Sequence, residues 1–529
     1  MATRQEEDAT KNDEKSTSIV ETADFETAIA NTGFGKFNYL LMLVSLPVVL
    51  GSLFDTSTMS YVLPSAECDL NMSNFDKGIL NAMVYAGNVS TAFLWGYLAD
   101  NYGRRLLLLS GCFLLTVITV ASSFSQVFWL LVVFKFFGGV ISCGPFVLML
   151  TYMAEFTSTL HRTRIMMMNA IYNSLGFITV PALAWAIIRQ PWSWTLFGGY
   201  IVFNSWRVFI VACAVPSFIA GCFLLFFDES PKFLMSQGRR EEALNVFKRI
   251  YSLNTGKHPD TFPVKSLVDE KKQNGDILTP NGDVPNRNHS TDMKQFLRKP
   301  YIGRILLVIS IQYGGLWGMS TIRLWLPQIL AILEEYTSLY KSQTENVFLC
   351  DMMASRTGAQ AVVNATMNVT TSEECVPVQF GDTTFIYNII VGVVAAVWNL
   401  SANMIVGYFC KKNVLKFGYV LCACCMASMY WSINMEIVLA LSSIFIGCNQ
   451  MVIIALLSTV VELFPTNMRT TAMSLTMMLG RVSALTGNLT FPVFLEINCA
   501  MPFFFIAAIS LLCALLAFFI PDTTGKALE

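Results

Sequence analysis

The strongest constraint on this chain is a recurrence: stretches of about twenty residues with few charges return along its length, separated by short polar turns. A helix needs about 20 mostly apolar residues to cross a bilayer core. Such stretches lie at roughly 38–62, 78–99, 106–124, 128–153, 165–188 and 208–227. They return at 302–333, 384–410, 415–431, 436–463, 470–495 and 501–520. Inside lipid the backbone has no water to bond, so each stretch must close its own hydrogen bonds as a helix. The expected fold is an all-α membrane protein with twelve transmembrane helices. Composition agrees: 13% of residues are charged and 54% apolar, against about 25% charged in soluble domains.

A polar stretch, 228–300, divides the spans into six and six, predicting two six-helix bundles over 37–227 and 301–521. This stretch reads as a cytosolic linker with short helices. Residues 239–251 have helical spacing through Ala243, Leu244, Phe247 and Ile250. The rest, with a Gly/Pro/Asn-rich run at 274–288, reads as flexible. Residues 1–36 are polar and acid-rich, lack a cleaved-signal pattern, and read as a disordered cytosolic tail. Residues 522–529 form a second tail.

The basic residues of short loops fix the orientation. Arg104, Arg105, Arg162, Arg164, Lys411, Lys412, Lys416 and Arg469 fall on one side, so that side and both termini are expected in the cytosol. The opposite side carries a loop, 334–382, holding Cys350, Cys375 and glycan acceptor patterns at Asn364 and Asn368. An oxidising compartment would permit a Cys350–Cys375 disulfide and glycans at both asparagines. The alternative is two unpaired thiols. Acceptor patterns at Asn88, Asn399 and Asn488 fall in or against spans, and Asn288 lies in the linker, so these four are expected to stay unmodified.

A net charge of −1 provides no basic field for nucleic acid. Most of the 14 cysteines are scattered through apolar segments and only three histidines exist, which argues against a metal site. No nucleophile elbow, phosphate loop or HExxH pattern is present, so neither an enzyme nor a cofactor is expected. The expected partners are the lipid bilayer and a small-molecule solute, with protons as a candidate co-substrate. A monomer is expected.

The sharpest motif is Gly96-Tyr-Leu-Ala-Asp100-Asn-Tyr-Gly103-Arg104-Arg105, in the first cytosolic loop. Gly96 would allow close helix approach. Asp100 would face the positive end of a neighbouring helix. Arg104 and Arg105 would pair with Glu155, and Arg162 belongs to the same loop cluster. The motif reads as a latch between the two halves, with Glu462, Arg469 and Lys412 as its second copy. A simple positive-inside anchor is the alternative.

With these residues in place the chain resembles the sugar-porter and organic-ion branch of the major facilitator superfamily. Within that branch it is similar to the synaptic vesicle glycoprotein 2 family and its relatives. The resemblance rests on Leu63-Pro-Ser-Ala-Glu67, Ala92-Phe-Leu-Trp-Gly96, Ala184-Trp-Ala-Ile-Ile188, Ser205-Trp-Arg-Val-Phe209 and Val461-Glu-Leu-Phe-Pro465 with Arg469-Thr-Thr-Ala472. Glu229-Ser-Pro-Lys-Phe-Leu234 and Pro521-Asp-Thr523 are wider sugar-porter signatures. Departures are Lys135 where the family usually has Arg, a second latch without its Asp, and Ser52 where a second first-span acid would stand. The loop at 334–382 is also shorter than in the vesicle glycoproteins. The resemblance implies either transport or a role at a plasma or secretory-vesicle membrane.

Ionisable groups within spans are costly and mark candidate sites. Asp55 reads as a substrate or proton site, or as a helix-end residue near water. Lys135 and Arg481 could hold an anionic substrate or act as a counter-ion to Asp55. Arg323, near a span end, reads as a snorkelling side chain. Asn169, Tyr172 and Asn173 share one helix face. Gln312, Asn399 and Asn449 add amides on other spans; each amide could equally be interhelical glue. The resemblance brings in Trp185 as a ligand-binding position, with a membrane-interface belt as its alternative. The leading expectation is secondary transport of a small organic solute. A non-transporting regulator of vesicle traffic, or a receptor, is the second.

Overall fold

The structure, a computed structural model, describes residues 20–196, 198, 201–268, 301–339, 347–353 and 380–521. These are nearly all helix. A short α1 (Phe25–Asn31) precedes α2 (Lys36–Ala66), α3 (Asn74–Tyr102), α4 (Arg104–Ser123), α5 (Phe128–Glu155), α6 (Arg162–Ile188) and α7 (Ser205–Leu224). The linker forms α8 (Pro231–Ser236) and α9 (Arg240–Thr255). A second series follows: α10 (Tyr301–Leu339), α11 (Asp382–Tyr408), α12 (Lys411–Ser428), α13 (Met435–Leu463), α14 (Thr466–Ile497) and α15 (Ala500–Ala517). Among the described residues, ten helices are long and apolar enough to cross a membrane. The other two long helices, α3 and α14, are 29 and 32 residues long and carry more polar groups. Phe93, Val117, Trp129, Phe223 and Leu512 stand exposed on the helix exteriors. A soluble monomer rarely exposes apolar surface on such a scale.

Helix packing repeats with a shift of six long helices. In the first series α2 packs on α5, α6 and α7, α3 packs on α5, and α4 packs on α5 and α7. In the second, α10 packs on α13, α14 and α15, α11 packs on α13, and α12 packs on α13 and α15. The seam between the series has the same symmetry: α3 meets α14, α6 meets α11, and α2 meets α10. Small residues let these backbones touch. A Cβ on Gly139 of α5 would stand 2.1 Å from the Val84 carbonyl oxygen of α3.

The amino-terminal stretch is ordered earlier than its composition predicts. Strand β1 (Val20–Ala23) pairs in parallel with β4 (Val264–Leu267), after the hairpin β2 (Ser193–Leu196) and β3 (Ile201–Asn204). Asp24 caps α1 by accepting the Thr27 N–H at 3.0 Å, and burial of Phe25, Ala28 and Ile29 supplies the driving force. The expected disorder over 1–36 is therefore corrected from residue 20 onward. In α9 the expected apolar face is present, with Ala243, Phe247 and Ile250 buried. The flexibility expected beyond it is corrected by β4; the run at 274–288 lies outside the described residues.

Cys350 is bonded to Cys499 with Cα atoms 5.6 Å apart, and Cys68 is also disulfide-bonded. The expected Cys350–Cys375 pairing is thus corrected. The segment after α10 folds over the turn between α14 and α15, which brings together cysteines 149 residues apart. Cys375, Asn364 and Asn368 lie outside the described residues.

Candidate functional site

The motif at the α3–α4 turn is built around Gly103, whose φ of +95° suits glycine. A Cβ there would lie 2.6 Å from Glu229 Oε2. That carboxylate accepts the backbone N–H of Arg104 at 3.0 Å and of Arg105 at 3.0 and 3.2 Å. Glu229 therefore occupies the positive end of α4. The Arg104 guanidinium pairs with Glu155 at 3.3 Å and Asp100 at 2.9 Å, and lies 5.4 Å from the Phe233 ring. Arg105 turns away to donate to the Leu225 carbonyl at 2.9 Å, at the otherwise unsatisfied end of α7.

Several expectations change here. Gly96 faces open space, with nothing within 4 Å of its would-be Cβ, so it brings no helices together. Asp100 holds Arg104, and Glu229 takes the helix-terminus role assigned to Asp100. Glu155 pairs with Arg104 and not with Arg105. Among the described residues, the partners of these arginines belong to the first bundle or its linker, so here the cluster clamps that bundle. Arg162 pairs with Glu26 at 2.6 Å, fastening α6 to α1. In the second copy Glu462 takes Lys411 as partner, while Arg469 Nε is buried without a hydrogen bond among the described residues. The partner shown for Glu462 is Lys411, where Arg469 was expected.

Asp55 of α2 is buried and pairs with Lys135 of α5 at 3.3 Å, with 3% and 1% of the two side chains exposed. The water-near reading of Asp55 is thereby corrected. Gly138 leaves room for the pair, since a Cβ there would lie 3.0 Å from Asp55 Oδ1. Asp55 Oδ2 has no hydrogen-bond partner among the described residues. Arg481 is not the counter-ion; it donates to Cys143 Sγ at 2.8 Å across the seam.

A cavity of about 50 Å³ lies between the two series. It is lined by Ser57, Ser60 and Tyr61 of α2, Phe177 and Pro181 of α6, Arg323 of α10 and Asn388 of α11, with Ile446 of α13 closing one side. Arg323 does not snorkel. Its guanidinium donates to Tyr85 Oη at 3.3 Å and lies 4.8 Å over the Phe177 ring, and its Nε is buried without a partner. Beyond the cavity, Asp382 of α11 accepts from Trp185 Nε1 at 2.8 Å and from the Arg189 guanidinium. These bonds bridge α6 and α11 at one end of the seam. Trp185 is thus a strut between bundles rather than a free belt residue.

None of the ten candidate binding residues lines this cavity. Tyr172 donates to the Met42 carbonyl at 3.2 Å within its own bundle, and Asn173 bonds the Asn169 carbonyl at 2.8 Å along α6. Asn399 reaches across the seam to Ser174 Oγ at 3.1 Å. Gln312 Oε1 and the Asn449 amide are buried without hydrogen bonds among the described residues. The hydroxyls at Ser57, Ser60 and Tyr61 carried the missed signal: their i, i+3, i+4 spacing puts them on one helix face.

Residues 46–342, more than half of the chain, match the family described as Major Facilitator Superfamily. This chain belongs to the major facilitator superfamily. Residues 334–529 match the description Sugar (and other) transporter. Both are families of transporters, not enzymes. As a superfamily member the chain is similar to synaptic vesicle glycoprotein 2A of Rattus norvegicus, 34% identical over 231 residues, 44% of this chain and 31% of that protein. It is 27% identical to synaptic vesicle glycoprotein 2B of Homo sapiens over 335 residues, 60% of this chain and 49% of that protein. The matches thus span between about a third and a half of those relatives' own lengths. A solved D-xylose-proton symporter superimposes with a TM-score of 0.63 at 17% identity, covering 93% of this chain and 100% of that one. The inward-open xylose transporter XylE from E. coli gives 0.64 at 17%, covering 92% and 98%. These two structures bear on the fold alone.

Proposed function

We propose that this superfamily member is a secondary transporter of a small organic solute, working by alternating access. The observation that carries the proposal is the cavity between the two helix series, with polar groups contributed from both. Symmetric packing of the series gives two rigid bodies that can rock about a central site. In this reading all twelve long helices cross the membrane, including the more polar α3 and α14, which form the seam. Both termini and the Arg104 cluster face the cytosol, and the loop with Asn364 and Asn368 faces outward and carries glycans. The Trp185–Asp382–Arg189 contacts then close the outer end, so the arrangement is outward-closed. The protein acts as a monomer in the plasma membrane or a secretory-vesicle membrane.

Asp55 supplies the coupling. Its carboxylate sits beside Lys135 with one oxygen unpartnered. Protonation of that oxygen would release Lys135 and bias the equilibrium between states. The test is solute uptake into proteoliposomes under an imposed pH gradient, wild type against Asp55→Asn. Gradient-driven accumulation by the wild type, abolished in a well-folded Asp55→Asn, is the expected result. Equal accumulation by both removes Asp55 from the mechanism. Absence of any uptake, with a trafficking phenotype insensitive to Asp55→Asn and Arg323→Gln, would favour the regulatory role suggested by the vesicle glycoprotein relatives.

A further inference from the structure

The charges inside the described part of the spans do not cancel. Asp55 is the carboxylate of the central region, and Lys135 takes it. Arg323 has no carboxylate partner among the described residues. Its guanidinium has only the neutral Tyr85 hydroxyl and the Phe177 ring, and Nε is left buried without a hydrogen bond. A guanidinium withdrawn from water needs a compensating group. Its planar fork of donors matches a carboxylate better than any neutral acceptor. The same cavity presents the hydroxyls of Ser57, Ser60 and Tyr61 and the amide of Asn388. Ser60 Oγ is itself buried without a partner.

We propose that this cavity binds a small hydroxylated monocarboxylate. The Arg323 guanidinium takes the carboxylate, and Ser57, Ser60, Tyr61 and Asn388 take the hydroxyl groups. Arg323 is the one cation in the lining among the described residues and balances one negative charge, which selects a monoanion over a dianion. Tyr85 and Phe177 act as positioning residues: the Tyr85 hydroxyl accepts from the guanidinium and the Phe177 ring lies against it. The proposal rests on the transport reading and names the solute class of the same site.

The test uses the full-length protein in proteoliposomes and matched pairs of radiolabelled solutes. Lactate is compared with propane-1,2-diol, and gluconate with glucose. Uptake of at least one acid above empty liposomes is expected, with its neutral counterpart left behind. Arg323→Gln should weaken half-saturation by the acid about tenfold or more, the loss expected for one charge-assisted hydrogen bond. Arg323→Lys should retain part of it. Should Arg323→Gln prove misfolded by gel filtration, Ser60→Ala with Tyr61→Phe provides a second test. That pair should weaken lactate relative to propionate, which lacks the hydroxyl. Uptake of the neutral solutes alone overturns the anion proposal and leaves the transporter standing. Acid uptake unchanged in a folded Arg323→Gln overturns it as well. Failure of all four solutes and of every solute in a wider screen sinks both readings.

Discussion

Replacing Lys135 by Met is the most informative single perturbation of the interior. In the native chain the ammonium lies 3.3 Å from Asp55 Oδ1, and both side chains are almost wholly withdrawn from solvent. Removing one partner of a buried pair leaves an uncompensated charge and costs about 3–5 kcal/mol. Asp55→Asn alone should cost a comparable amount, because it strands Lys135. The double variant, Asp55→Asn with Lys135→Met, removes both charges and restores neutrality, so its net cost should stay within about 1 kcal/mol. Methionine fills much of the lysine volume, which keeps cavity effects small. The assay is equilibrium unfolding of purified protein in mixed micelles, followed by tryptophan fluorescence and repeated for all four forms. The double variant should be more stable than either single variant by about 2 kcal/mol or more. Costs that simply add in the double variant would show that the two charges do not compensate one another, and would refute the pairing as the reason for their burial.

Other consequences are separately measurable. Glu229→Gln should lower thermal stability by about 1–2 kcal/mol, because an amide meets the two N–H groups at the α4 terminus without the charge; an unchanged melting profile in detergent would refute the capping role. Gly139→Val should prevent correct folding, since its Cβ would meet the Val84 carbonyl oxygen at 2.1 Å; the readout is monodisperse yield on gel filtration, and a wild-type yield would contradict the α3–α5 contact. Cys499→Ser should free one thiol at Cys350, whereas Cys375→Ser should leave Cys350 protected; alkylation followed by peptide mass spectrometry separates the two. Asp382→Ala removes the shared acceptor of Trp185 and Arg189, so it should raise thiol-reagent labelling of an Asn388→Cys reporter from the Asp382 side, and unchanged labelling would remove this contact from the closure.

The spans were legible because lipid imposes one rule on every segment that crosses it. The stretch read at 38–62 became Lys36–Ala66, and that read at 470–495 became Thr466–Ile497, differing only at the ends where polar residues continue the helix. The linker helix was legible for a similar reason, through its apolar spacing. Partnerships between distant segments were not. Arg104 and Glu229 are separated by 125 residues, and nothing in the motif around Gly103 points to that acid. Nearness in sequence favoured Cys375 for Cys350, while the fold supplied Cys499. Arg323 was misjudged because position along a span does not tell whether a side chain faces lipid, water or the seam. The amide of Asn173 looked like a binding group, yet it bonds the Asn169 carbonyl of its own helix.

The pairing of β1 with β4 bears on how the chain is made. Phe25 of α1 meets Phe247 of α9 with ring centres 6.0 Å apart, and β1 finds its neighbour only at Val264–Leu267. Residues 20–31 are made before their partners, and they wait until the ribosome has delivered all six helices of the first series and the stretch beyond them. Once that stretch emerges it seals the first bundle as a finished unit before any of the second exists. A nascent chain arrested shortly after residue 227 should be a better client for chaperones than one arrested far enough beyond residue 267 for that residue to have left the exit tunnel.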